Sequence, residues 1–81
     1  MQIKDAIVAR VKEICSQKSI NYNELATLSG VTPSTVYSMM DSHRKDLSVI
    51  TVKKLCDGLN ISVKDFFDSG LFSEGLEQEI E

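Results

Sequence analysis

The sequence predicts an all-α fold, a compact bundle of five helices, and three observations predict it. Apolar residues recur three, four and seven positions apart, the period of a helix buried along one side. Residues that cap helix starts, Asn21, Thr32, Ser48 and Ser62, stand just before four of these periodic stretches. Breakers then separate them, with Gly30 before one restart and Pro33 at the next first helical position. No strand is predicted. At 81 residues the chain makes one domain. A chain of that size buries only about 60% of what its unfolded form exposes, so its core must be efficient.

The first helix is expected over Ile3 to Gln17. Ile3, Ile7, Val11 and Ile14 form its inner stripe with Ala6 and Cys15 beside them, and Lys4, Arg10, Lys12 and Glu13 are read as facing outward. The second runs from Tyr22 to Ser29, opened by Asn21 and Glu24 in a capping-box arrangement and closed by Gly30. The third restarts at Pro33 behind Thr32, turning Val36 and Met39 inward, with Met40 beside them. After the loop "DSHRKDLS" the fourth spans Val49 to Leu59 behind Ser48, with Val52, Leu55, Cys56 and Leu59 on one face. The fifth is short: Ser62 caps it, Asp65 supplies an acid to its first turn, and Phe66 and Phe67 give bulk to the core. The stretch "DSGLFSEGLEQEIE" is expected to leave the compact body, which divides the chain into a domain of residues 1–69 and an acidic tail of residues 70–81.

The overall charge of −3 hides an asymmetry. Residues 1–64 carry all nine basic side chains against six acids, a net of +3, and residues 65–81 carry six acids and no base. The body therefore suits a polyanion better than the overall sign implies. No apolar run approaches the roughly 20 residues that cross a bilayer. The opening "MQIKDAIVARVKEIC" mixes charge into helical spacing as no signal peptide does, so a cytoplasmic location is expected. Cys15 and Cys56 each fall on an apolar helical face and are read as reduced, buried, small hydrophobes, with a single bridge between them as the alternative.

Two short helices joined by a tight glycine turn form the helix-turn-helix unit, in which one helix holds the other proud of the surface. Here the second of the pair offers Ser34, Thr35, Tyr37 and Ser38 outward, where a surface helix ordinarily carries Lys and Glu. Such a first turn fits the DNA major groove, since its free N–H groups tolerate phosphate and its side chains meet base edges.

The stretch "NELATLSGVTPSTVYSMM", with Leu25-Ala26, Gly30-Val31 and Thr32-x-x-Thr35-Val36, resembles the second helix, turn and third helix of the Cro and phage-repressor type of helix-turn-helix domain, the xenobiotic-response-element family. "TVKKLCDGLNISVKDFF" is similar to that family's fourth and fifth helices, so the resemblance covers Ile7 to Phe67. It implies a lambda-repressor-like fold and sequence-specific binding of double-stranded DNA, usually by a homodimer on a palindromic operator. It places base contacts on Pro33, Ser34, Thr35, Tyr37 and Ser38. Phosphate contacts fall on Asn21, Tyr22 and Asn23 and, in the loop after the third helix, on Ser42, His43, Arg44 and Lys45. Many members have Gln or Arg at the first reading positions. This chain has Pro33 and Ser34, so readout falls on shorter side chains.

These readings describe a transcriptional regulator, expected to act as a repressor. The alternative is a protein-interaction module, an antitoxin-like or regulatory partner that uses the same fold. No enzyme is expected: the chain has no glycine-rich phosphate loop, no nucleophile–base–acid set and no framed carboxylate pair. His43 has no Cys or second His at metal-binding spacing, so neither metal nor cofactor nor small-molecule ligand is expected. One small module offers too little contact for specific affinity, so a homodimer with third helices roughly 34 Å apart is expected. Its interface is expected to use the fifth helix, with Phe66 or Phe67, and the tail. The tail itself is read either as a frayed end or as an acidic segment folded over the basic surface.

Overall fold

In the computed structural model, which describes residues 1–80, six helices follow one another in the order α1 (Ile3–Lys18), α2 (Tyr22–Ser29), α3 (Pro33–Met40), α4 (Val49–Gly58), α5 (Val63–Phe67) and α6 (Gly70–Ser73). No strand occurs among the described residues. The local chemistry sets the boundaries. α1 ends at Lys18, one residue beyond the expected end, where Ser19 takes the left-handed conformation. At α2 the capping box is complete: Asn21 Oδ1 accepts from Glu24 N–H at 2.8 Å, and the Glu24 carboxylate accepts from Asn21 N–H at 3.2 Å. Gly30 turns the chain with φ of 70°, and Val31 N–H then reaches back to the Ala26 carbonyl at 3.1 Å. Thr32, Ser48 and Ser62 each accept from the third N–H of the helix they open.

The core is a single cluster assembled from the faces that the apolar periods select. Ile7, Val11 and Ile14 of α1 meet Leu25 and Ala26 of α2, Val36 and Met39 of α3, Val52, Leu55 and Cys56 of α4, then Leu59 and Phe66. Both cysteines are buried and free. Burial pushes both thiols above their ordinary range, which suppresses the reactive thiolate.

Gly58 fixes how closely α4 approaches α2. A Cβ there would sit 2.3 Å from Ser29 Oγ and 2.9 Å from the Leu28 carbonyl carbon, so only hydrogen fits without movement. Ser29 Oγ lies in that contact, buried without a hydrogen-bond partner.

The expectations for Arg10 and for the tail need correction. Arg10 does not point freely outward. Its guanidinium, only partly exposed, donates to the Phe66 carbonyl at 2.7 Å and to the Asp65 carbonyl at 2.8 Å, satisfying the end of α5. The chain also does not leave the body at residue 70. Ser69 opens α6, and Phe72 stacks edge-on against Phe67 at 4.8 Å and packs on the core. Beyond it Glu77 N–H donates to the Met1 carbonyl at 3.0 Å, so the tail runs beside the start of α1. The apolar contact of Phe72 outweighs the acidity of the segment, because its acidic residues stay exposed.

Candidate nucleic-acid interface

The third helix is buried along one side and open along the other. Val36 is fully buried and Met39 nearly so, while Pro33, Ser34 and Tyr37 lie outward, Tyr37 with 54% of its surface exposed. Thr35 and Ser38 are half-buried. They line a shallow notch between α3 and the start of α4, together with Arg44, Ser48 and Thr51. The Thr35 hydroxyl also lies 3.0 Å from that of Thr32, which ties it to the helix cap. Of the five expected base-reading positions, three therefore face outward and two sit at the edge toward the basic loop.

The start of α2 joins this surface through an aromatic contact. The Tyr22 ring meets the Tyr37 ring edge-on with centroids 5.6 Å apart. Burial first, then its neighbours Cys15 and Tyr37, push the Tyr22 phenol up, so it remains a neutral donor. Asn21 has spent its side-chain oxygen on the capping box, which leaves its amide N–H groups for an acceptor such as phosphate. Asn23 is exposed one turn position further on.

Ser42, His43, Arg44 and Lys45 are all exposed in the loop between α3 and α4. The loop is nevertheless held from both sides. Asp41 Oδ1 accepts the His43 N–H at 2.9 Å, a side-chain-closed turn, and meets His43 Nδ1 at 3.1 Å. The backbone hydrogen bond from His43, and then the one from its ring, hold the Asp41 carboxyl below the usual aspartate range.

From inside, Lys4 of α1 closes the loop. Its ammonium donates to the Asp41 carbonyl at 2.7 Å and to the Arg44 carbonyl at 2.8 Å, with only 6% of the residue exposed. A buried ammonium is tolerated because those carbonyls replace water. The expectation that Lys4 faces solvent is therefore corrected. A signal was present: Lys4 stands three residues before Ile7 and seven before Val11, in phase with the buried stripe.

A short helix braced across a glycine turn, with hydroxyls on its outer face and an arginine–lysine loop beside it, defines a helix-turn-helix DNA-binding unit. The chain belongs to the Cro/C1-type HTH DNA-binding domain family, whose pattern matches residues 10–69. It is also similar to the crystal structure of the prophage Lp1 protein 11, at 33% identity and a TM-score of 0.80. That match covers 93% of this chain and 100% of that one. A comparison with curated proteins finds no match. The protein is thus a DNA-binding regulator of a family that is regulatory rather than enzymatic. Among the described residues, no helix is long and apolar enough to cross a membrane.

Proposed function

We propose that the protein is a sequence-specific regulator of transcription that acts as a repressor by occupying promoter DNA in the cytoplasm. In this reading α3 enters the major groove. Ser34, Tyr37 and Ser38 read base edges with Thr35 and Pro33 against them, while Asn21, Tyr22, Asn23 and Ser42 to Lys45 hold phosphates. The observation that carries it is the exposure of Ser34 and Tyr37 on a helix whose other side is sealed into the core, beside the exposed Arg44–Lys45 loop. Of the hydroxyls there, those of Thr32 and Thr35 serve the helix cap.

Two copies acting together on a palindrome supply the contact area that one module lacks, with their α3 helices roughly 34 Å apart. The DNA-binding unit lies within residues 1–69 in this reading, and residues 70–81 add acid beside it, with Phe72 packed on the core.

Selection of bound sequences from a random duplex library tests the reading. A palindromic consensus is expected, with binding whose log–log salt slope is about −0.9 per phosphate neutralised. Absence of duplex binding even at low salt would assign the fold to protein recognition instead.

A further inference from the structure

Each base shows a different edge in the major groove, and each edge asks for a different side chain. Guanine is met by Arg or Lys and adenine by Asn or Gln, each reaching two atoms at once; cytosine gives a donor to a carboxylate; thymine adds a methyl group, which asks for an apolar surface. From Pro33 to Met40, α3 contains no Arg, Lys, Asn, Gln, Asp or Glu. The exposed Ser34 and the half-buried Ser38 carry hydroxyls that both donate and accept, so they suit any base edge and single out none. Discrimination by α3 is therefore left to hydrocarbon.

That hydrocarbon is present and fixed. Pro33 and Tyr37 stand four positions apart, hence one above the other on one face of the helix, and both are exposed. The Pro33 ring is held by the backbone itself at the first helical turn. The Tyr37 ring is held by Tyr22, which it meets edge-on at an interplanar angle of 74°. Tyr22 in turn packs against the core, so the body of the domain helps to set where the Tyr37 ring stands. Beyond that contact Tyr37 keeps 54% of its surface exposed. A ring already immobilised loses little further freedom on binding.

We infer that the strip formed by Pro33 and Tyr37 reads thymine through its 5-methyl group, and that Tyr22 is the residue that positions the reading ring. Each half-site then holds an A·T pair against this strip, recognised by its methyl group and not by a bidentate hydrogen bond. This deepens the proposed function and rests on it: it names the base that the same surface selects.

Base-analogue replacement in the selected duplex tests the inference. Deoxyuridine is put in place of each thymine in turn; it keeps the pairing and the O4 acceptor and lacks only the methyl. Binding by the full chain is expected to weaken about fourfold for each methyl that the strip covers, the worth of one buried methyl group. Tyr37→Phe, which keeps the ring, should keep that penalty, and Tyr37→Ala should erase it while circular dichroism retains its helical signal. Tyr22→Leu should shrink the penalty and Tyr22→Phe should restore it. A selected site indifferent to deoxyuridine at every thymine overturns the inference, as does a penalty that survives Tyr37→Ala; a full penalty in Tyr22→Leu removes Tyr22 from the positioning. The DNA reading fails separately: a clear consensus without methyl dependence keeps the proposed function and loses only the thymine reading, whereas a library that returns no consensus removes both.

Discussion

The first turns of α3 and α4 begin alike and end in different uses. Thr32 and Ser48 each cap a helix by accepting from the N–H three residues on, at 3.3 Å in both cases. Behind the caps, α3 presents Pro33, Ser34 and Tyr37, whereas α4 presents Val49 and Ile50. Capping chemistry decides that a helix starts. It is indifferent to what the exposed turn carries: hydroxyls suit a hydrated, charged duplex, and branched hydrocarbon suits a protein surface.

The strongest way to break this contrast is to erase one side of it. Replacing Ser34, Tyr37 and Ser38 together with alanine should lower affinity for the selected site by about a thousandfold, to the non-specific level. Helical content should not change, since Ser34 and Tyr37 are exposed and Ser38 is only half-buried. Competition between specific and random duplex measures it, and an unchanged preference would remove α3 from readout.

Next comes the loop between the two turns. Lys4→Met leaves the Asp41 and Arg44 carbonyls unpaired and should cost about 2–3 kcal/mol in urea unfolding. Well below the transition, DNA binding should also lose part of its salt slope as Arg44 and Lys45 lose their posture. Lys4→Arg, which keeps the charge, should recover some of both.

Gly58→Ala tests whether α2 is held tightly enough to aim α3. The added methyl meets Ser29 Oγ and the Leu28 backbone, so about 1–3 kcal/mol of overpacking is expected by thermal or urea denaturation.

The caps themselves should be near-equal in stability, with Thr32→Ala and Ser48→Ala each costing about 1 kcal/mol. Only Thr32→Ala should also disturb duplex binding, through the hydroxyl it shares with Thr35.

The smallest effect concerns pH. Hydrogen bonds from His43 lower the folded Asp41 pKa, so their contribution is complete above the unfolded aspartate value, about 3.9. It fades as pH falls through the lower folded value. The Asp41 side-chain carboxyl resonance should therefore titrate below the ordinary aspartate range.

Most of the fold was legible because its signals are local. Asn21 with Glu24, Gly30, Thr32 with Pro33, and Ser48 specify boundaries within a few residues of sequence, and the apolar periods specify the core faces. What escaped depends on distant partners. The ammonium of Lys4 finds its carbonyls 37 and 40 residues away, and Arg10 finds its own 55 and 56 residues away. Gly58 reads as a weak helical residue until the approach of Ser29 shows why no side chain fits. The packing of Phe72 was hidden by the acidity around it. At the candidate site the outward phase of Ser34 and Tyr37 followed from helical spacing, but the half-burial of Thr35 and Ser38 depends on where the loop returns.

The buried ammonium of Lys4 bears on protein engineering. Grafting residues 21–45 onto a foreign scaffold would transplant every proposed contact side chain yet leave the Asp41 and Arg44 carbonyls without their donor, and the basic loop would lose its brace. A faithful graft must bring a cationic donor from the host at the height of α1's opening turn.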